Sequence, residues 1–188
     1  MTIKVEKFTL PFGNSKTNAM LFYNLEKSPE SQSFAAFTHG YTSHKASILT
    51  WASRLCEEGI PVVLFDLPGH YLGNFSEVNN FEEFSENAHL LFETAINRSF
   101  EFSFFKGQSL EDKKMIIGGH SLGALLSLKA CDLEYFDHFQ SLQVICVGFG
   151  VPPQNVTHIF NSAFYKSTLN LRAQLISQAI APDIMFPW

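Results

Sequence analysis

The stretch that decides the fold spans residues 115–126 and reads MIIGGHSLGALL. It begins as an apolar run typical of a buried strand and ends in a helical pattern. Between the two, Gly119 and Gly123 flank Ser121 in the pattern G-x-S-x-G. The pattern predicts a tight strand-to-helix turn that holds a serine hydroxyl above a sheet, because glycines remove side chains that such a turn would crowd. A helix beginning at Leu122 would also direct its N-terminal N–H groups toward a developing oxyanion.

Two other glycine-rich motifs are excluded at this position. Gly118 and Gly123 have the spacing of a phosphate-binding loop, but Ala124 and Leu125 stand where that loop requires Lys and Ser or Thr. No G-x-G-x-x-G opens a helix, so a dinucleotide-binding fingerprint is absent from the sequence. A glycine-rich turn that serves packing alone is the remaining alternative.

Outward from this motif, apolar strands alternate with helical patterns, which predicts an α/β fold with a mostly parallel sheet flanked by helices. Residues 3–10 and 19–25 alternate like an antiparallel hairpin with its turn at 13–15. Further strands are predicted at 34–38, 60–65, 115–118 and 143–147. The predicted helices span 43–58, with Gly59 after the last turn, a segment from Asn80 through Ala95, 122–131 and 167–180. Residues 98–114, rich in Phe at 100–105, are expected to form a connection that packs on the sheet.

The composition is that of one globular domain of 188 residues, with 46% hydrophobic and 16% charged residues. These values exclude a disordered chain, a collagen and a coiled coil. The net charge of −5 without a basic stripe argues against nucleic acid as a partner.

Cofactor, metal and location follow from what the sequence lacks. Three cysteines are too few and too scattered for a disulfide framework or a zinc site, and free thiols are expected. No His/Glu spacing of the metalloprotease type occurs, so we expect neither a catalytic metal nor a cofactor. Neither a signal peptide nor an apolar run of about 18 residues is present, which predicts a cytoplasmic protein without a membrane span.

Two further segments directly follow predicted parallel strands, as the G-x-S-x-G turn does. His39-Gly40-Tyr41 follows the first parallel strand, and residues 66–70, with the sequence DLPGH, follow the next one. With the G-x-S-x-G turn, in this order, the chain resembles the α/β-hydrolase superfamily. The resemblance covers residues 3–150 as a core within a single domain of 1–188. Residues 151–188 are then expected to form a partial cap, lid or terminal helix region.

The resemblance implies a role for each matching position. Ser121 is the expected nucleophile, and the backbone N–H groups of Tyr41 and Leu122 are the expected oxyanion hole. The remaining motif residues are expected to shape the loops rather than react: His39, Gly40, Asp66, Gly119, His120 and Gly123.

The resemblance also requires an acid and a histidine after later strands, in the chain order Ser, acid, His. No convincing pair of such strands follows Val147, only a linker, one helix and an apolar tail. His158 follows the last strand at the carboxyl end of the sheet and is the candidate base; a surface loop histidine is the alternative interpretation. The acidic residues and His138 at 132–138 are expected at the opposite edge.

The predicted function is therefore a serine hydrolase that cleaves a small carboxylic ester or thioester through an acyl-Ser121 intermediate. A preference for apolar acyl chains rests on the 20 phenylalanines. The alternatives are a non-catalytic protein of the same fold that binds a ligand or partner, and a truncated hydrolase without its acid and histidine. An open sheet edge and the apolar C-terminus would favour a homodimer.

Overall fold

The described part of the chain folds into one six-stranded sheet with helices on both faces. A computed structural model describes residues 2–41, 43–70, 84 and 86–148. The strands are β1 (Ile3–Phe12), β2 (Ser15–Asn24), β3 (Ser33–Thr38), β4 (Val62–Phe65), β5 (Lys114–His120) and β6 (Ser141–Val147). Their order across the sheet is β1-β2-β4-β3-β5-β6. The four strands at the β6 side run parallel, and the hairpin β1–β2 joins them antiparallel through β4. The predicted fold class is confirmed.

Because β3, β4, β5 and β6 are parallel, their carboxyl ends lie at one edge of the sheet. Thr38 is in register with Phe65 on one side and with Gly119 on the other. His120 is in register with Val147. We call this edge the carboxyl edge; all three sequence motifs follow strands that end there, as ligand sites do in parallel sheets.

Three α-helices cover the two faces within the described residues: α1 (Leu49–Glu57), α2 (Leu91–Phe100) and α3 (Leu122–Ala130). Helices α2 and α3 pack on one face, in a buried cluster that includes Phe34, Phe65 and Ile117. Helix α1 packs on the other face through Ala52 and Cys56. Alternate residues of a strand point to opposite faces, so burial on both sides accounts for the continuous apolar character of β3, β4 and β5.

The phenylalanines at 100–105 complete the core of the first face. The Phe104 ring stacks on Tyr23 with ring centroids 4.0 Å apart, and Phe105 contacts Phe34 at 5.8 Å. Phe102 lies against Phe8 with centroids 5.3 Å apart. The expectation that this segment packs on the sheet is confirmed. A short 3-10 turn, Ser103–Phe105, brings the rings together.

Most predicted elements are present with shifted ends. The helix predicted from residue 43 is wrong in its first turn: Lys45–Ile48 forms a 3-10 turn, and α1 begins only at Leu49. Such 3-10 turns are frequent at the N-terminal ends of α-helices. The connection predicted from residue 98 begins later, because α2 continues to Phe100. Gly59 follows α1 with φ +88°, the left-handed conformation predicted for it. Residues 80–83 and the helix predicted at 167–180 lie outside the described residues.

Within the described part of the chain, Cys56, Cys131 and Cys146 are free thiols. The same part holds no cluster of three or more His, Cys, Asp or Glu side chains suited to a metal ion. None of its helices is long and apolar enough to cross a bilayer.

Candidate active site

Ser121 lies between β5 and α3 in a strained backbone conformation. Its φ is 52° and its ψ −111°, and among the described residues it is the only non-glycine with positive φ. Its N–H donates to the Val147 carbonyl over 2.8 Å, and its carbonyl accepts from the Ala124 N–H over 3.0 Å. These bonds to β6 and to the first turn of α3 hold the residue in a conformation that is costly on its own. Such strain concentrates at functional positions.

The glycines on either side of Ser121 are required by packing. A Cβ on Gly119 would lie 2.5 Å from the Gly123 carbonyl carbon and 2.7 Å from the Thr38 oxygen. A Cβ on Gly123 would lie 2.6 Å from the same Thr38 oxygen. The turn is therefore pressed against the end of β3, and both clashes would be with backbone, which cannot move aside. The crowding predicted from G-x-S-x-G is present.

The loop after β3 comes next to this turn. We call His39, Gly40, Tyr41, Ser43 and His44 the HG loop. A Cβ on Gly40 would lie 3.1 Å from the Ser121 Cβ and 2.8 Å from the His120 Nδ1. Because Gly40 has no side chain, the HG loop backbone approaches the serine directly.

His39 holds the start of the HG loop. Its Nε2 accepts a hydrogen bond from the Leu67 N–H over 2.9 Å, so the ring proton is on Nδ1, which donates to the Gly40 carbonyl over 2.8 Å. The side chain is fully buried, and burial together with the neighbouring His70 holds the pKa of His39 well below its usual value. His39 is therefore neutral, and both ring nitrogens are occupied.

Asp66 holds the other end of the HG loop through Lys45. The Lys45 N–H donates to Asp66 Oδ1 over 2.7 Å, and the Lys45 ammonium donates to Oδ2 over 2.6 Å. Both side chains are buried, with Lys45 only 1% exposed. Burial raises the pKa of Asp66 and lowers that of Lys45, while the mutual attraction of the pair opposes both shifts. Asp66 is predicted from the sequence as a loop-shaping residue, whereas Lys45 is not, because a lysine near the start of a predicted helix is typical of a solvent-exposed position.

His70 lies under Tyr41 at the same edge. Its Nδ1 donates to the Pro68 carbonyl over 2.8 Å, and its ring centroid lies 5.6 Å from that of Tyr41. Burial lowers the pKa of His70 to about 4, so the ring is neutral near pH 7. Its Nε2 is buried without a hydrogen-bond partner.

His120 is an exposed residue that separates two loops. Gly40 lies on one side of its ring, and on the other a Cβ on Gly148 would lie 3.0 Å from its Nε2. Gly148 has φ +62° and follows β6 directly. His120 thus spaces the HG loop from the chain that leaves β6.

The remaining predicted site residues divide into three groups. Leu122, one of the two expected oxyanion donors, is the first residue of α3 and is largely buried; the other, Tyr41, lies in the HG loop. The charged side chains between α3 and β6 are exposed at the amino edge, as expected: Asp132, Glu134, Asp137 and His138. His158 lies outside the described residues. Within them, no histidine is hydrogen-bonded to the Ser121 hydroxyl.

Solved structures with this fold are numerous. A carboxyl esterase from Bacillus coagulans superposes with a TM-score of 0.57 at 16% identity, over 95% of this chain and 52% of that one. A monoglyceride lipase from Saccharomyces cerevisiae gives 0.56 at 16% identity, over 93% and 52%. The 2-hydroxy-6-oxo-6-phenylhexa-2,4-dienoate hydrolase of a Rhodococcus strain gives 0.55 at 19% identity, over 82% and 50%. At these identities the similarity concerns the fold, and the chain spans about half the length of these structures.

No curated protein matches this chain. A family model does, however, and it covers most of the sequence. The model is described as serine aminopeptidase, S33, and it matches residues 29–184, which include all three motifs. The chain therefore belongs to the serine aminopeptidase S33 family of the α/β-hydrolase superfamily.

Proposed function

We propose that this chain is a serine hydrolase that cleaves a small carboxylic ester or thioester through an acyl-Ser121 intermediate. The observation that carries the proposal is the conformation of Ser121, a strained serine between the parallel strand β5 and helix α3. A packing turn would have no need of a non-glycine residue at φ 52° when glycine adopts that conformation without strain.

In the proposed reaction, the Ser121 Oγ attacks the carbonyl carbon of the substrate and gives its proton to a general base. The carbonyl oxygen becomes an oxyanion that accepts hydrogen bonds from the Tyr41 and Leu122 N–H groups. The C–O or C–S bond then breaks, and the leaving group takes the proton from the base. Water repeats the sequence on the acyl-serine and releases the acid.

The position of the Gly40 carbonyl supports Tyr41 as an oxyanion donor. That carbonyl is bonded to the His39 Nδ1, and the peptide bonds of the described residues are trans. In a trans peptide the N–H points away from the C=O, so the Tyr41 N–H points away from His39. Leu122 is the first residue of α3, where N–H groups have no carbonyl within the helix to bind. A single donor of this kind is worth about 100- to 1,000-fold in rate.

The general base assigned in this proposal is His158. The neutral His39 has both ring nitrogens in hydrogen bonds, and burial lowers the pKa of His70 to about 4, so neither histidine is a suitable acceptor for the serine proton near pH 7. His158 follows β6, whose end lies beside Ser121. Chain order thus supports it.

The proposed substrate class is supported by the fold and by the reaction that a serine nucleophile performs. Similar structures are described as a carboxyl esterase and a monoglyceride lipase. A preference for apolar acyl chains stays a prediction from the phenylalanine-rich composition. The phenylalanines at 100–105 do not contribute to it, because they pack against the sheet.

The direct test is intact-mass analysis after treatment with a fluorophosphonate, which forms an Oγ–P bond with an activated serine and releases fluoride. We expect one adduct on the wild type and none on Ser121→Ala. Ser127→Ala is the matched control, since Ser127 is a buried serine of α3 whose hydroxyl donates to the Ala124 carbonyl; it should label like the wild type. A folded wild type without an adduct would overturn the proposal and favour a non-catalytic binding protein.

Measuring kcat tests the general base independently of the nucleophile. With short-chain p-nitrophenyl esters and thioesters, His158→Ala should lower kcat by about 1,000-fold or more, because the serine would lose its proton acceptor. A His158→Ala variant with wild-type kcat would exclude His158 while leaving Ser121 in place.

A further inference from the structure

Lys45 is a buried charge. A contribution to stability is not enough to explain why a lysine occupies this position. Its ammonium and its backbone N–H bind the two oxygens of one carboxylate, at 2.6 and 2.7 Å. Taking both charges out of water costs several kcal/mol each, so a buried ion pair is often no more stabilising than an apolar pair of the same size. The directional hydrogen bonds, in contrast, fix where residue 45 lies.

The carboxylate itself is anchored on the sheet. The Asp66 N–H donates to the Asn18 carbonyl over 2.8 Å, and the Asp66 carbonyl accepts from the Thr17 hydroxyl over 2.8 Å. Asp66 directly follows β4, and its side chain is fully buried. Lys45 is therefore bonded to a rigid point of the central sheet.

Leu67, the residue after Asp66, holds the start of the HG loop. The Leu67 N–H binds His39, which binds the Gly40 carbonyl. Asp66 and Leu67 thus fix the HG loop at its start through His39 and at its end through Lys45. Gly40 and Tyr41 lie between these two points, with Gly40 against Ser121.

From this arrangement we infer that Lys45 is a positioning residue for the oxyanion hole: its two bonds to Asp66 set the HG loop so that the Tyr41 N–H faces the carbonyl attacked by Ser121. The inference rests on the proposed function. It goes beyond it by assigning a residue that touches neither the serine nor the substrate.

The test measures fluorophosphonate labelling as a maximal rate constant and a half-saturating concentration, alongside the melting temperature. Lys45→Met keeps the backbone bond and most of the side-chain volume but loses the ammonium. We expect it to lower the maximal rate 10- to 100-fold, part of the 100- to 1,000-fold value of one oxyanion donor, with the half-saturating concentration within about twofold.

Lys113→Met is the matched control. Lys113 is also buried, and its ammonium donates to the Ser31 carbonyl over 2.6 Å, but it lies before β5 at the amino edge. It should lower the melting temperature and leave the maximal labelling rate unchanged.

The double variant Lys45→Met/Asp66→Asn distinguishes an effect on the placement of the HG loop from an effect on the stability of the fold. It removes both charges, so the melting temperature should return most of the way to that of the wild type. The labelling rate should stay at least tenfold low, because the ammonium bond is still missing. A double variant, or a folded Lys45→Met, that labels at the wild-type rate would overturn the inference while the proposed function stands. A wild type that does not label would overturn the proposed function, and the inference with it.

Discussion

Two lysines are buried at opposite edges of the sheet, and their surroundings differ. Lys45, 1% exposed, meets the Asp66 carboxylate near the carboxyl edge. Lys113, 8% exposed, meets the Ser31 backbone carbonyl at the amino edge. Burial lowers the pKa of both ammonium groups, and a nearby carboxylate opposes the shift in each case. Only Lys45 is bonded to that carboxylate through both its ammonium and its backbone.

The difference shows where this fold places buried charge. At the amino edge a single hydrogen bond from the Lys113 ammonium to the Ser31 carbonyl connects two chain segments. At the carboxyl edge the lysine belongs to a network of Asp66, Leu67, His39 and Gly40 that ends at Ser121. Buried polar networks fix a unique geometry when every member is bonded, and their disruption is correspondingly costly.

The largest expected effect comes from removing the charge of Asp66. Asp66→Asn leaves the Lys45 ammonium buried without a counter-charge, and we expect it to lower the free energy of unfolding by about 3–5 kcal/mol. Urea denaturation measures this. Arg54→Gln is the control, because the Arg54–Glu57 pair is exposed at the surface and should contribute less than about 1 kcal/mol. If Asp66→Asn lowered the free energy of unfolding no more than Arg54→Gln does, the buried pair would be no more important for stability than the exposed one.

A smaller effect is expected from pH, through His70. Its pKa is about 4 in the folded chain and about 6.5 when unfolded, so between these values the unfolded chain binds the extra proton. The free energy of unfolding should therefore fall as the pH is lowered from about 6.5 to 4, by at most about 3 kcal/mol from His70. The contribution of His39, whose pKa is also lowered, has the same sign.

Urea denaturation between pH 4 and 7 tests this on the wild type and on His70→Gln. The variant should flatten the pH dependence of the free energy of unfolding, because glutamine does not titrate in this range. If the free energy of unfolding changed equally with pH in the wild type and in His70→Gln, His70 would not titrate as its burial requires.

A glycine at each edge gives the next test. Gly40→Ala would bring a methyl group within 3.1 Å of the Ser121 Cβ, and overpacking of this kind costs about 1–3 kcal/mol. It should also slow fluorophosphonate labelling, because the HG loop must move away from the serine. Gly107→Ala, in the connection before β5, meets no atom within 4 Å, so its cost is the backbone strain of about 1–2 kcal/mol at φ +87°. If Gly40→Ala were labelled as fast as Gly107→Ala, the HG loop would have no part in the reaction of Ser121.

The smallest effect belongs to Lys113. Lys113→Met removes one hydrogen bond to the Ser31 carbonyl in a partly buried setting, and we expect a loss of about 1–2 kcal/mol. Urea denaturation measures it. A loss as large as that of Asp66→Asn would show that the two edges are equivalent in energy.

Much of the fold was predictable because its signals are local. The apolar runs at 34–38 and 115–118 are strands, and the turn at 13–15 joins β1 to β2. The ends of elements were less predictable. A 3-10 turn at Lys45–Ile48 stands where a regular helix start was predicted, and the bond from Lys45 to Asp66, 21 residues away, is a contact that no local pattern reports.

The sequence by itself determined the order of the elements and the turn at Ser121, since strand and helix periods and the crowding between Gly119 and Gly123 act over a few residues. The tertiary structure decided which polar groups meet: the Nδ1–H tautomer of His39, the burial of His70 under Tyr41, and the pairing of Lys45 with Asp66. These depend on parallel strands that bring separate loops to one edge. These side chains form hydrogen bonds and lose contact with water only when they lie close together, and they lie close together only once the sheet has formed.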